Sequence, residues 1–253
     1  MSAPPRLPNR FVLHAFDRLP STNDEARRLA EAGADEGQVV WAFEQTRGRG
    51  RYGRRWQSPP GNLYASVLLR PGCPTADTAQ LSFLASLALA DALGRLGPAG
   101  LDLALKWPND VLLAGAKTAG ILLESASGPD GRAEWVVIGS GVNIVSHPSG
   151  MPYPATALVE CGFPPLAPAD LLEAYLDALA DWYRRWRTDG FGAVRKAWCA
   201  RSFGLGGQIR LRLEDRELHG RFVDLTPGGA LVLEQADGSR CEIAAGDVFY
   251  GSR

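Results

Sequence analysis

The chain has 253 residues, 45% of them hydrophobic and 22% charged, and 27 Lys+Arg against 28 Asp+Glu leave a formal net charge of -1. Those proportions exclude disorder, a collagen-like fibre and a coiled coil. A near-zero total speaks against a general nucleic-acid binder while leaving room for a local basic patch.

Cysteines at 73, 161, 199 and 241 form no CxxC pair, which fits a reducing cytosol better than a disulfide framework or a structural zinc. The opening MSAPPRLPNR lacks the apolar run of a signal peptide. No stretch approaches the ~18 apolar residues of a membrane span, so a cytoplasmic location is expected. Residues 11–16 read as a short strand. Ser21 or Thr22 can cap a helix through the following NDEARRLAEAG, with acids in its first turn, Ala26, Leu29 and Ala30 on one face, and Gly33 as its stop. Residues 38–43 read as a buried strand. Residues 44–62, EQTRGRGRYGRRWQSPPGN, carry neither the helical nor the strand period and predict no regular structure. An alternating strand at 63–70 precedes a helix at 75–96 whose Ala79, Phe83, Leu87, Ala90 and Leu93 share a face. Further strands are expected at 101–106, 111–113, 119–125 and 135–144, with GPDG at 128–131 turning between the last two. Residues 146–168 are a Pro-rich loop with at most one short strand. Pro168 suits the first position of a long helix to residue 189. Its Leu172, Tyr175, Leu176, Leu179, Trp182, Tyr183 and Trp186 form a wide apolar stripe suited to a core. A short helix follows at 192–201. From about Gly204, the short alternating segments QIRLRL, LHGRFVDL, ALVLEQ and CEIAAG are separated by turn signals. They predict a small β-barrel appended to a mixed α/β body.

Two motifs carry most of the chemistry. In QTRGRGRYGRRW, residues 45–56, Arg47, Arg49, Arg51, Arg54 and Arg55 are interleaved with Gly48, Gly50 and Gly53. Glycine lets a ligand approach the backbone closely, and arginine offers planar, permanently charged donors to carboxylate or phosphate oxygens. Such a loop can fold around a small anion, its exposed N–H groups acting as a nest. A solvated basic loop or an RGG-like nucleic-acid segment is the other reading, disfavoured by the strands on either side. In KWPNDV, residues 106–111, the proline places Lys106 at a strand end and Asn109–Asp110 in a tight turn. Lys106 is then either an edge lysine reaching solvent or a cation in the same pocket as the arginine loop. In the pocket it would stabilise charge developing in phosphoryl or acyl transfer. AGILLES at 119–125 and VIGSGVNI at 137–144 place small residues inside buried strands, a sign of close backbone approach or a bulge, with Asn143 as a polar contact at the strand end. GAKT at 115–118 lacks the spacing of a phosphate-binding P-loop. His14, His147 and His219 have no metal-ligand spacing, and no G-x-S-x-G occurs.

Together these motifs resemble the biotin–protein ligase family. STN at 21–23, QTxGRGRxGRxW at 45–56, KWPNDV at 106–111, Lys117-x-AGIL to residue 122 and GxGVN at 139–143 stand in the family's order. The resemblance runs into a tail similar to the family's small SH3-like barrel and covers nearly the whole chain. It implies an α+β fold, a mixed-sheet catalytic domain over residues 1–203 and an SH3-like C-terminal β-barrel over 204–253. It also implies a two-step reaction. The biotin carboxylate attacks the α-phosphate of Mg-ATP, giving biotinyl-5'-AMP and pyrophosphate. The ε-amine of one lysine on a biotin carboxyl carrier protein, that of acetyl-CoA carboxylase or a related carboxylase, then attacks the mixed anhydride.

By the same resemblance Lys106 and Arg51 are the catalytic residues, Lys106 neutralising the reacting anions and Arg51 holding the intermediate on the glycine-rich loop. Ser21, Thr22, Asn23, Gln45, Arg49 and Gly50, with Arg51 and Lys106, would line the biotin site beside an apolar pocket. Arg54, Trp56, Asn109 and Asn143, again with Arg51 and Lys106, would meet the nucleotide. No resident metal is implied, since Mg2+ arrives with ATP, and neither DNA nor a membrane is an expected partner. Arg47 departs from the small residue usual at its position, either adding a cation or facing solvent. Only about twenty residues precede STN, too few for the helix-turn-helix domain with which some members repress biotin genes, so an enzyme without that domain is expected. An exposed strand edge would serve equally to build a homodimer or to dock the carrier. Two rivals stand beside this reading. A lipoate–protein ligase or octanoyltransferase would share the catalytic fold but lacks KWPND. A non-enzymatic module binding nucleic acid through the arginine loop would show salt-sensitive binding and leaves the KWPND turn without a job.

Overall fold

The computed structural model describes residues 5, 7–8, 10–214 and 216–250. Strand β1 (Val12–Leu19), helix α1 (Thr22–Glu31) and strand β2 (Gln38–Gln45) form a parallel crossover unit. Helix α1 starts where expected: Ser21 is extended and its Oγ accepts a hydrogen bond from the Asp24 amide at 3.3 Å, which satisfies one of the open donors of the first turn. Gly33, at φ +82°, carries the chain out of the helix. Then follow β3 (Leu63–Leu69), α2 (Gln80–Leu96), β4 (Leu103–Lys106), β5 (Asp110–Leu113), β6 (Ala116–Ser127) and β7 (Ala133–Val142). Helices α3 (Pro168–Asp189) and α4 (Phe191–Cys199) complete the body. The seven strands lie in the order β1-β2-β3-β7-β6-β5-β4, with only β1 and β2 parallel.

Both faces of this sheet are covered, and strand periodicity decides what goes where. In β7, Val136, Ile138 and Val142 join the large core under α2, α3 and α4, while Trp135 and Val137 pack with Ala26 and Ala30 of α1 on the opposite face. Residues 139 and 141 continue the α1 face beyond that helix, and both are glycine. The sheet there is left bare, and the cavity described below sits on it.

Several elements differ from the sequence expectation. Strand β3 is buried at every residue rather than alternating, because helices cover both of its faces. The helix expected from residue 75 begins at Gln80, since Thr75–Asp77 forms a separate 3-10 turn whose Asp77 accepts a hydrogen bond from Gln80. Thirteen residues of α2 are buried, so the five-residue stripe understated its burial. Residues 44–62 are irregular for most of their length but are not structureless. A 3-10 turn at Arg51–Gly53 and bridges pairing Gln45 with Ser58 and Arg49 with Arg55 fold them into a hairpin. Periodicity does not register a hairpin whose tip is three residues long.

The remaining strands are β8 (Gln208–Arg212), β9 (Glu217–Leu225), β10 (Leu231–Glu234), β11 (Arg240–Ile243) and β12 (Asp247–Tyr250). They form the expected small all-β unit, one antiparallel sheet in the order β11-β10-β9-β8-β12. It is fastened to the body by Trp107, whose Nε1 donates to the Gly229 carbonyl at 3.2 Å, and by Arg195, whose Nε donates to the Leu225 carbonyl at 2.7 Å. Among the described residues no helix is long and apolar enough to cross a membrane.

Candidate functional site

The arginine loop closes over the bare end of the sheet as a hairpin. Its N–H groups are partly consumed in doing so: Gly50 N donates to Arg54 O at 2.7 Å and Trp56 N to Gly48 O at 2.9 Å. The backbone nest expected from the sequence is therefore reduced, and the cationic side chains are what the loop presents. Glycine is required at two places for different reasons. Gly53 has φ +69°, and a Cβ on Gly48 would lie 2.5 Å from Trp56 O. The hairpin is tied down at both limbs. Arg49 pairs with Asp24 at 2.6 Å and Glu124 at 3.2 Å, and Arg54 pairs through both its terminal nitrogens with Asp247 on β12. Arg47 points away, exposed and outside the cavity lining.

Beneath the hairpin lies a cavity of about 440 Å³. Ser21, Thr22, Asn23, Gln45, Arg49, Gly50, Arg51, Arg54, Trp56, Lys106 and Asn109 all line it. Asn143 does not. It sits in an adjoining cavity of about 240 Å³ that shares Arg55, Trp56, Lys117, Met151 and Tyr153 with the first. There β7 has ended, and Asn143 Nδ2 donates to the Thr156 carbonyl.

One end of the larger cavity is polar and neutral. The Thr22 amide and hydroxyl both donate to Gln45 Oε1, at 2.8 and 3.1 Å, and Gln45 Nε2 donates to Ser58 Oγ at 2.9 Å. Ser66 Oγ lies 2.8 Å from Thr22 Oγ1 and 2.6 Å from Asn23 Oδ1, and Asn23 Nδ2 donates to Glu124. Buried polar groups of this kind are costly unless paired, and here each holds its neighbour in place. A Cβ at Gly139 would strike Asn23, so the small residue of the buried strand is what admits the asparagine. Leu122, the cross-strand partner of Gly139, lines the same cavity on the bare face, whereas the Trp107 and Ile121 side chains belong to the core under α2, α3 and α4.

The other end is cationic. Lys106 ends β4, Asp110 begins β5, and the two are paired across the hairpin whose turn holds a cis Trp107–Pro108 peptide. The Lys106 ammonium lies 5.7 Å from the centre of the Tyr250 ring. Burial pushes its pKa below the ordinary lysine value, with Asp110 pulling the other way, so this is a charge largely stripped of water. Lys117, on β6, pairs with Asp110 Oδ1 at 2.7 Å and faces the rings of Trp56 and Tyr153 at 5.4 and 5.5 Å. Arg51 reaches Asn109 Oδ1 and the Gly246 carbonyl, both at 3.4 Å. Trp56 lies flat across the cross-strand pair Gly120 and Gly141, where a Cβ on Gly141 would come within 2.6 Å of the indole. The two glycine-bearing strands singled out in the sequence thus provide the close approach expected of them. The arrangement can bring two anions together beside a neutral, hydrogen-bonding head group.

Sequence reasoning gave no role to Lys117, Asp110, Arg212 or Asp247, all of which line the larger cavity. Lys117 carried the same signal as Lys106, a lone lysine bordering a buried strand. The pairing of Arg54 with Asp247 had no sequence signal, since the two are joined only by the packing of the C-terminal sheet.

Residues 55–200 match the biotin/lipoate A/B protein ligase family, and residues 204–251 match the biotin protein ligase C-terminal domain. The chain is 44% identical to a biotin–[acetyl-CoA-carboxylase] ligase of Paracoccus denitrificans over 92% of its own length and 98% of the relative's. The structure of a biotin protein ligase from Aquifex aeolicus, in complex with biotin and ATP, superposes with a TM-score of 0.80 at 27% identity, covering 94% of this chain and 97% of that one. A biotin protein ligase from Leishmania major, in complex with biotinyl-5-AMP, superposes with a TM-score of 0.65 at 28% identity over 92% and 98%.

Proposed function

The chain belongs to the biotin/lipoate A/B protein ligase family, and we infer from its site that it joins biotin to a carrier protein at the cost of ATP. It is a biotin–[acetyl-CoA-carboxylase] ligase in activity, with biotin and Mg-ATP as substrates. The observation that carries the residue-level reading is the conjunction, in one cavity, of a neutral hydrogen-bonded end and a cluster of cations under a closed hairpin. Thr22, Asn23 and Gln45 suit the uncharged, polar head of biotin, and Leu122 beside the glycines of β7 suits its apolar body. In the first step a biotin carboxylate oxygen bonds to the α-phosphorus, and the bond from that phosphorus to the bridging oxygen breaks, releasing pyrophosphate. Two anions must meet for this, and Lys106, Lys117 and Arg51 offset their repulsion from positions set before substrate arrives. Trp56 and Asn143 place the adenosine in the adjoining cavity. In the second step the neutral amine of the acceptor lysine attacks the biotinyl carbonyl carbon, AMP departs and the amine loses a proton.

The carrier is that of acetyl-CoA carboxylase. We divide the chain into a catalytic body over residues 1–203 and an all-β unit over 204–253. The deciding experiment is ATP–pyrophosphate exchange by the purified protein, together with transfer of biotin to a carrier domain. Biotin-dependent exchange is expected. Exchange that proceeds with lipoate and not with biotin, or no exchange beside salt-sensitive RNA binding, would replace this reading by one of its rivals.

A further inference from the structure

We propose that the C-terminal sheet supplies a phosphate-binding residue to the active site: Arg212, whose guanidinium takes the β- and γ-phosphates of the nucleotide and holds the pyrophosphate as it leaves. The proposal rests on the ligase reading above. Strand β8 alternates, burying Ile209 and Leu211 and turning Gln208, Arg210 and Arg212 outward. Of the two arginines, Arg210 is paired with Glu217 at 3.0 Å, while Arg212 lines the large cavity and pairs with Asp247 at 3.2 Å. Its guanidinium also lies 5.1 Å from the centre of the Phe249 ring, another cavity residue, which restricts where it can point.

The charge around Asp247 is unbalanced. That one carboxylate serves both Arg212 and Arg54, and Arg51 beside it bonds only neutral groups among the described residues, the Asn109 amide oxygen, the Tyr52 hydroxyl and the Gly246 carbonyl. Two guanidiniums thus share one carboxylate, and a third without a carboxylate partner stands beside them. Burial pushes the Asp247 carboxyl up, but hydrogen bonds from Arg54 and Arg212 bring it below its ordinary value, so it stays ionised and leaves a positive surplus. A polyphosphate answers such a surplus, because each guanidinium can present two N–H groups to phosphate oxygens.

Geometry says which phosphates. Three groups radiate from the α-phosphorus at reaction: biotin, adenosine and pyrophosphate. The neutral end takes the first, the adjoining cavity with Trp56 and Asn143 takes the second, and Lys106 and Lys117 stand where they meet. The cationic wall left for the third is the one formed by Arg54 and Arg212. Arg212 is then part of the adenylation site and needed for only one of the two steps.

That asymmetry makes the test. In full-length protein, Arg212→Ala should raise KM for ATP and for pyrophosphate in the exchange assay about tenfold, leave KM for biotin within twofold, and be partly rescued by Arg212→Lys. Transfer from supplied biotinyl-5'-AMP, which carries no β- or γ-phosphate, should stay within twofold. Calorimetry with inorganic pyrophosphate, which needs no turnover, should show a matching loss of affinity. Unchanged KM and pyrophosphate affinity would overturn the proposal, as would a transfer step slowed as much as exchange, the mark of a mere brace. If the unsubstituted protein shows no exchange at all, the ligase reading fails, and the calorimetric comparison still decides whether Arg212 binds pyrophosphate.

Discussion

The two ends of the cavity are built on opposite principles. At the neutral end, Thr22, Gln45, Ser58, Ser66 and Asn23 are locked to one another by short hydrogen bonds, and all but Gln45 are buried. At the cationic end, Arg54 and Arg212, each about half exposed, are held by ion pairs with the one carboxylate of Asp247, and pairs with so exposed a partner are typically worth less than about 1 kcal/mol each. A fixed network selects shape, since a ligand missing one partner leaves a buried group unpaired. A set of exchangeable ion pairs instead waits for an anion and gives way to it. The loop can therefore be closed before ligand arrives and still admit a nucleotide.

Removing cations should hit hardest. Lys106→Ala and Lys117→Ala should each slow biotin-dependent exchange by about 10²–10³-fold, with thermal melting showing that the fold survives; full activity in the Lys106 variant would end its electrostatic assignment. At the neutral end, Thr22→Val keeps the shape but strips two hydrogen-bonding roles from the hydroxyl. It should raise KM for biotin about ten- to hundredfold with little change in kcat, and a loss confined to kcat would contradict a selecting role for this end. Smaller still is Gly141→Ala, whose methyl would press on Trp56. We expect about 1–3 kcal/mol of destabilisation, read by denaturant unfolding, with KM for ATP raised and KM for biotin spared. The mildest effect concerns pH. Burial holds Lys106 below its ordinary pKa of 10.5, so raising the pH discharges it earlier than a solvated lysine. The alkaline limb of adenylation should fall below that value, and Lys106→Arg should flatten the limb while lowering the rate.

Much of the fold was legible because local rules were obeyed. Pro168 begins α3 and Ser21 caps α1 as expected. The large-cavity residues expected from the loop, the STN segment and the KWPND turn do converge. The misses share a cause. The extent of burial along β3 and α2 depends on what covers both sides of an element, which periodicity within it does not report. Lys117 was visible as a residue but not as a site, because its role comes from Asp110, Trp56 and Tyr153 gathered round it.

The amino-acid sequence by itself determined the chemistry on offer: arginines spaced by glycines, lysines at strand ends, and small residues where a side chain must lie against the sheet. Its near-zero net charge gave no hint of how those charges are distributed. Tertiary structure decided which cations keep a counter-ion, which lose their water, and that a carboxylate and an arginine of the C-terminal sheet close the wall of a cavity built by the body. Contacts such as Arg54 with Asp247 join residues far apart along the chain, so they exist only once both sheets have formed and packed.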